Sequence, residues 1–304
     1  MRLKNLLFLA LILAYPLFAE KYGPYDLSFT HASSAGMASL GVGVNAPSAN
    51  LYSNPAILSS NQKYIIDGGV TVSTNQGKYS ALKPLSAGFY IPVDAKNGWG
   101  VTGKQTYYQN FPGGYEAMSN YTFSFFWTYK FSENWNGSIG IGPSVVYRGG
   151  YQSSFSLSPT ASLSYKKEKH LVGLTMQSPG AFRLEGYRGV DNLKERLPEY
   201  AALGYSYQLQ QTLIYSEIRK IFWERSTFDL NGQSSRPSLD RGLGAEVKLS
   251  LGLEQTIKDS PFQIRAGFES GGFYDTKGIN QRSLGLAAGV SWNAFSTKEE
   301  EVFK

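Results

Sequence analysis

The sequence predicts an all-β chain: a transmembrane antiparallel β-barrel of about twelve strands, with an N-terminal segment folded into its lumen. Three observations carry that prediction. Apolar residues recur at every second place in run after run, which is the period of a strand. The connections between runs tend to alternate between short and long, the layout of an outer-membrane barrel. The chain also opens on an export signal.

That opening reads "MRLKNLLFLALILAYPLFAEKYG". Arg2 and Lys4 form a positive start, Leu6–Ala14 is a short apolar core, and Ala19 precedes a plausible cut. Residues 1–19 are therefore read as a signal peptide, too short to span a bilayer as a helix. Leu17 is larger than the residue usual three places before a cut, so the position of the cut is open. Cysteine is absent, which removes a disulfide framework, a thiolate metal site and a lipid-modified N-terminal cysteine.

Residues 20–61 do not alternate. From Ser33 they read "SSAGMASLGVGVNAPSANLYSNPAILSS", rich in small residues and ending near Asn54, Pro55 and Ala56. Such a segment cannot cross lipid alone. It is either an arm outside the barrel or a plug within it, and small residues favour close packing inside a narrow barrel.

Residues 62–295 hold the strands. The runs are Tyr64–Ser73, Leu85–Val93, Trp99–Tyr107, Tyr121–Phe131, Trp135–Tyr147 and Phe155–Tyr165, then Leu171–Gln177, Tyr200–Leu209, Leu213–Trp223, Leu243–Leu253, Phe262–Glu269 and Ser283–Phe295. Short turns such as "DAKN", "SEN", "KKEK", "QQ" and "KDSP" alternate with longer loops, above all Ser178–Leu197 and Glu224–Arg241; Gly149–Gln152 is short where a long loop is due. A soluble sandwich would bury the same faces, but it leaves the loop asymmetry unexplained. It also leaves unexplained the Trp and Tyr residues that crowd the strand ends, as aromatic girdles do. In "SFSLSPTASLSY" the serines then face the lumen, and Phe155, Leu157, Ala161 and Leu163 face lipid. Residues 296–304 form a charged tail.

Strand phase assigns the interior. Glu217, Arg219, Glu246, Lys248, Arg265 and Glu269 fall on the inner face, with Arg265 and Glu217 expected to pair. One reading is a network that ties strands together. The other is that Arg219, Lys248 or Arg265 meets the head of an amphiphile while Tyr90, Phe126 and Val146 meet its tail. The net charge of +6 is not clustered, so nucleic acid is not an expected partner. The two histidines, His31 and His170, belong to no triad or metal cluster, so the chain is not expected to be an enzyme or to carry a metal or cofactor. Pro143 and Pro159 lie at mid-strand on neighbouring runs, roughly opposite each other by count. They are read either as a bulge or as a weak point through which cargo leaves sideways into lipid.

The run "AGMASLGVGVNAPSANLYSNPA" resembles the N-terminal hatch of the FadL/TodX-type outer-membrane channels. "GLTMQSPGAFRLEG", "LPEYAALGYSYQLQQTLIYSEIRKIFW" and "FQIRAGFE" are similar, in order, to later elements of that family. The resemblance implies an outer-membrane channel of a Gram-negative-type bacterium that takes up hydrophobic compounds such as long-chain fatty acids. It departs in strand number, since typical members have fourteen, and in having "NAPSAN" where acidic residues are usual. Related branches act as shuttles that bind a protein partner, so a scaffold working through the long loops is the alternative.

Overall fold

The computed structural model describes residues 41–70, 85–109, 117–148, 154–178, 181–185, 192–196, 199–222, 225, 227–230, 233–235, 246–258, 260, 262–273 and 281–292. Residues 1–19, read above as an export signal, residues 20–40 and residues 296–304 lie outside them. Among the described residues no helix is long and apolar enough to cross a membrane.

The wall consists of β1 (Ile65–Val70), β2 (Leu85–Pro92), β3 (Asn97–Gln109), β4 (Ala117–Lys130), β5 (Trp135–Arg148), β6 (Ser154–Lys167) and β7 (His170–Gln177). It continues with β10 (Glu199–Leu209), β11 (Thr212–Phe222), β14 (Glu246–Thr256), β15 (Phe262–Phe273) and β16 (Gln281–Trp292). These twelve strands pair antiparallel in one sheet, each with the next wall strand along the chain. All twelve runs read from alternation are thus present as wall strands, most of them shifted at their ends by a few residues.

Alternation sets the two faces. On β6, Ser154, Ser156, Ser158, Ser162 and Ser164 are buried, while Phe155 is 60 % exposed and Leu157 and Leu163 share its face. On β14, Leu249, Leu251 and Leu253 are exposed. A water-soluble sheet would reverse this arrangement. An apolar outside around a hydroxyl-rich inside is what a lipid-facing barrel requires. Near the short-turn rim the exposed aromatics gather: Trp127, Tyr129, Phe131 and Trp135. Trp99 pairs with Trp127, and the Trp135 and Tyr165 rings lie 4.8 Å apart. This is one aromatic girdle. Tyr107, Tyr147 and Trp223, expected at the other rim, fall outside the described side chains.

The two longest loops hold an element that alternation did not reveal. Loop 178–198 carries β8 (Ala181–Glu185) and β9 (Asn192–Arg196); loop 223–245 carries β12 (Thr227–Leu230) and β13 (Gln233–Ser235). They form a four-stranded sheet in the order β13, β12, β9, β8. With three to five residues each, these strands are too short to display a period.

Inside the wall lies the described part of the segment before the barrel. It makes a turn at Gly41–Val44, helix α1 (Pro47–Ser53) and a 3-10 helix, Pro55–Ser60. Its residues pack on the inner faces of β1 to β7, β10 and β11. Leu51 and Leu58 join Ile65, Tyr90 and Phe126 in an apolar cluster, and Val42 joins Tyr200, Ala202 and Ile221 in another.

Candidate functional site

The region where this inner segment meets the wall carries the most specific chemistry in the molecule. Proline at the first position of α1 presets the helical φ. The polar residues of "NAPSANLYSNPA" then fold the preceding turn back onto the helix. The Asn50 amide donates to the Gly41 and Val44 carbonyls at 3.0 and 2.8 Å, and its oxygen accepts from Ala46 N–H at 2.9 Å. The Ser53 hydroxyl donates to Gly41 O at 3.0 Å. Asn54, first residue of the Asn-Pro-Ala run, donates to Val42 O at 2.7 Å and to the wall carbonyl of Leu163 at 3.2 Å. Asn54 is therefore a clamp between turn and wall, and Pro55 and Ala56 start the 3-10 helix behind it.

Three wall residues complete the clamp. Oε2 of Glu217 accepts both Gly41 N–H and Val42 N–H at 3.0 Å, and Oε1 accepts from Arg219 Nη2 at 2.6 Å. Glu217 and Arg219 are 4 % and 5 % exposed, so this carboxylate is held by charge-assisted bonds away from water. The Arg219 guanidinium in turn lies 5.5 Å from the Tyr200 ring centroid, in cation–π range. The Thr175 hydroxyl donates to Ser53 O at 2.8 Å. Close approach also needs absent side chains: a β-carbon on Gly173 would sit 1.8 Å from Val42 O, and one on Gly43 would sit 2.3 Å from the Gly204 backbone. At the far end of α1, Tyr52 donates to Asp67 on β1 at 3.1 Å. Burial first, and then the Asp67 charge, hold the Tyr52 phenol above its ordinary pKa, so it stays protonated as that donor.

The remaining interior charges pair in ways the sequence did not specify. Arg265 does not meet Glu217; it donates to Glu254 at 2.6 Å and to Gln263 at 2.9 Å. Lys248 lies 3.4 Å from Glu269. Glu254 continues the phase of Glu246 and Lys248 just past the end of the run Leu243–Leu253. Tyr90 and Phe126 do face inward, but they are buried against the inner segment instead of lining free space, and Tyr90 OH lies 3.2 Å from the Thr128 hydroxyl. The side chains of Val146 and Glu246 are outside the described set.

The two prolines do not sit opposite each other. Pro143 pairs with Leu157 and Pro159 with Ile141, two places apart, and the β5–β6 ladder is continuous through both. Each acts on the strand at the hairpin's other flank. The β4–β5 ladder runs from Thr122↔Ser144 straight to Phe125↔Ile141, skipping the two pairs at Pro143 and Gly142. A proline facing β4 with no N–H to give has that result. Pro159 faces the other way: its carbonyl accepts from Ser178 N–H at 3.0 Å, just past the end of β7, and the β6–β7 ladder starts at the next residue, Thr160. Pro159 thus stands where the β6–β7 ladder ends.

A barrel with a lipid-type outer face and a clamped inner segment defines the class of protein this chain resembles in three dimensions. No protein-family model matches the sequence, and no curated protein matches it. Among solved structures, a FadL homologue of Pseudomonas aeruginosa is similar with a TM-score of 0.66 at 12 % identity, covering 91 % of this chain and 88 % of that one. The CymD monoaromatic hydrocarbon channel gives 0.65 at 13 % identity, covering 90 % and 91 %. The Ralstonia pickettii toluene transporter TbuX gives 0.62 at 12 % identity, covering 89 % and 91 %. The resemblance to FadL/TodX-type channels therefore holds for the fold along most of the chain.

Proposed function

We propose that this chain is an outer-membrane channel for the passive uptake of hydrophobic compounds such as long-chain fatty acids, with residues 20–61 as its plug. The observation that carries the reading is the packing of residues 41–61 within a wall that is apolar outside and polar inside. A plain scaffold barrel has no need of a lumen filled by a segment held at both ends. Neighbours of the same fold are described as transporters and channels of toluene and monoaromatic hydrocarbons. Residues 1–19 direct export, and the outer face meets outer-membrane lipid. Arg219, Lys248 and Arg265 each already touch a carboxylate, which favours recognition of the cargo's apolar part over its charge. Pro143, where the β4–β5 ladder skips two pairs, and Pro159, where the β6–β7 ladder ends, are the candidate sideways exit.

The test is uptake of labelled toluene and labelled oleate by cells with and without the protein. Faster uptake of either compound is expected. The second reading, a scaffold that binds a protein partner, is favoured by the joining of both long loops into one four-stranded sheet. Equal uptake together with a stably co-purifying protein would decide for it.

A further inference from the structure

We infer that Glu217 is the latch of the plug: the wall carboxylate that holds the turn Gly41–Val44 in the lumen and so keeps the barrel sealed. The inference rests on the reading of residues 20–61 as a plug. Two consecutive backbone N–H groups, Gly41 and Val42, converge on Oε2 at 3.0 Å each. Successive N–H groups aimed at one point make an anion-binding concavity, and here a carboxylate of the wall occupies it. Arg219, two residues along the same strand, binds the other oxygen at 2.6 Å. The carboxylate is thus balanced by one cation and two amide dipoles, and each has a different place in the molecule: the cation belongs to the wall, the amides to the segment.

Among the described residues, the other contacts of the turn bring no charge to it, including the packing of Val44 on Tyr215. Asn50 and Ser53 bind it from within the segment and would move with it. Gly173 and Gly204 only leave room for it. Asn54 reaches the Leu163 carbonyl at 3.2 Å, a neutral bond that is longer than its 2.7 Å bond to Val42. Val42 packs on Tyr200, Ala202 and Ile221, which orients the turn, while its N–H groups point at charge. Charge-assisted bonds are about twice as strong as neutral ones. Removing the Glu217 carboxylate therefore frees the turn while leaving the segment's own fold intact.

The experiment uses the full mature chain in planar bilayers, with ion conductance as the readout. Glu217→Ala is expected to raise conductance about tenfold or more, the population shift set by losing charge-assisted bonds to a buried carboxylate. Propionate, a carboxylate small enough to enter the vacated space, is expected to restore the seal; propionamide, of the same shape without charge, is not. Glu217→Ala removes the carboxylate that Arg219 binds, so Glu217→Ala/Arg219→Ala is measured beside it, with folding followed by heat-modifiable gel mobility. The double variant is expected to fold and to leak. A double variant as tight as the parent overturns the latch, and so does a leak in the single variant that propionate and propionamide affect alike. Toluene uptake by the unaltered protein is measured separately. Uptake with a sealed double variant sinks the latch alone; no uptake with a propionate-sensitive leak sinks the transport reading alone.

Discussion

At Arg265 the strand phase and the strand register do different jobs. Alternation places Glu217, Arg219, Lys248, Arg265 and Glu269 on the inner face, and all five are there. Which acid meets which base depends on how neighbouring strands are offset. Glu217 stands opposite Ser250, and Ser250 opposite Glu269, whereas Arg265 stands opposite Glu254. An offset cannot be read from one strand, so the partners were not legible although the face was. The prediction moves accordingly. Arg265→Ala alone is expected to cost roughly 3 kcal/mol, the low end for breaking a buried pair, and Arg265→Ala with Glu254→Ala to cost less. Urea unfolding in detergent measures both, and strict additivity would show that the contact carries no coupling. Gly173 gives a second test. Its missing β-carbon is what lets Val42 O lie on the wall, so Gly173→Ala forces the turn outward, at roughly 1–3 kcal/mol for an overpacked site. A single cysteine at Val42, in a chain that has none of its own, should then react faster with a maleimide. An unchanged rate would mean that the turn does not rest on Gly173.

At the scale of elements, the wall was legible because each strand repeats its pattern over enough residues to be counted. The four-stranded sheet was not, because Thr227–Leu230 and Gln233–Ser235 are too short for a period, and Thr227–Leu230 pairs with a strand of a loop distant in sequence. The turn and α1 were legible only as a segment of small residues; their clamp depends on Asn50, Ser53 and Asn54 meeting carbonyls that the sequence does not announce. The prolines show how register converts a residue type into a local property. A backbone N–H and C=O of one extended residue point to the same side. Pro143 therefore deprives β4 of a donor, while Pro159 lies just past the last pair of the β6–β7 ladder. Pro143→Val is expected to restore the two skipped pairs and add about 1 kcal/mol, the net value of a backbone hydrogen bond. Pro159→Val is expected to change stability little. Amide exchange of Phe123, the residue opposite Pro143, reads the ladder directly. Protection that rises with Pro159→Val and not with Pro143→Val would refute this assignment. If Pro143 also marks the exit, hydrophobe uptake falls in Pro143→Val while the amount of folded protein at the surface stays constant.

For the whole molecule, the inner segment does two things at once, and their consequences separate in experiment. In the proposed reading it plugs the lumen, and it supplies apolar packing to a wall with a polar inner face. Leu51 and Leu58 bury Tyr90 and Phe126, Val44 buries Tyr215, and Val42 buries Tyr200. Those aromatic rings belong to the wall, so deleting residues 20–60 exposes them to lumenal water and leaves Glu217 without its two N–H donors. Among the described residues the wall strands pair one with the next from β1 to β16. That pairing does not pass through the segment. The deleted protein is therefore expected to fold into the same barrel, to conduct small ions freely, and to unfold at lower urea than the parent. The stability loss scales with apolar area, at about 25 cal/mol for each Å² newly exposed. The conductance gain does not scale with it, because a plug closes a path whatever its packing energy. A graded set separates the two effects. Leu51→Ala and Leu58→Ala remove packing and keep the strap, so each is expected to lower stability by about 2–5 kcal/mol with little leak. Conductance that rises in proportion to lost stability across this set would mean that the segment is a core and not a plug.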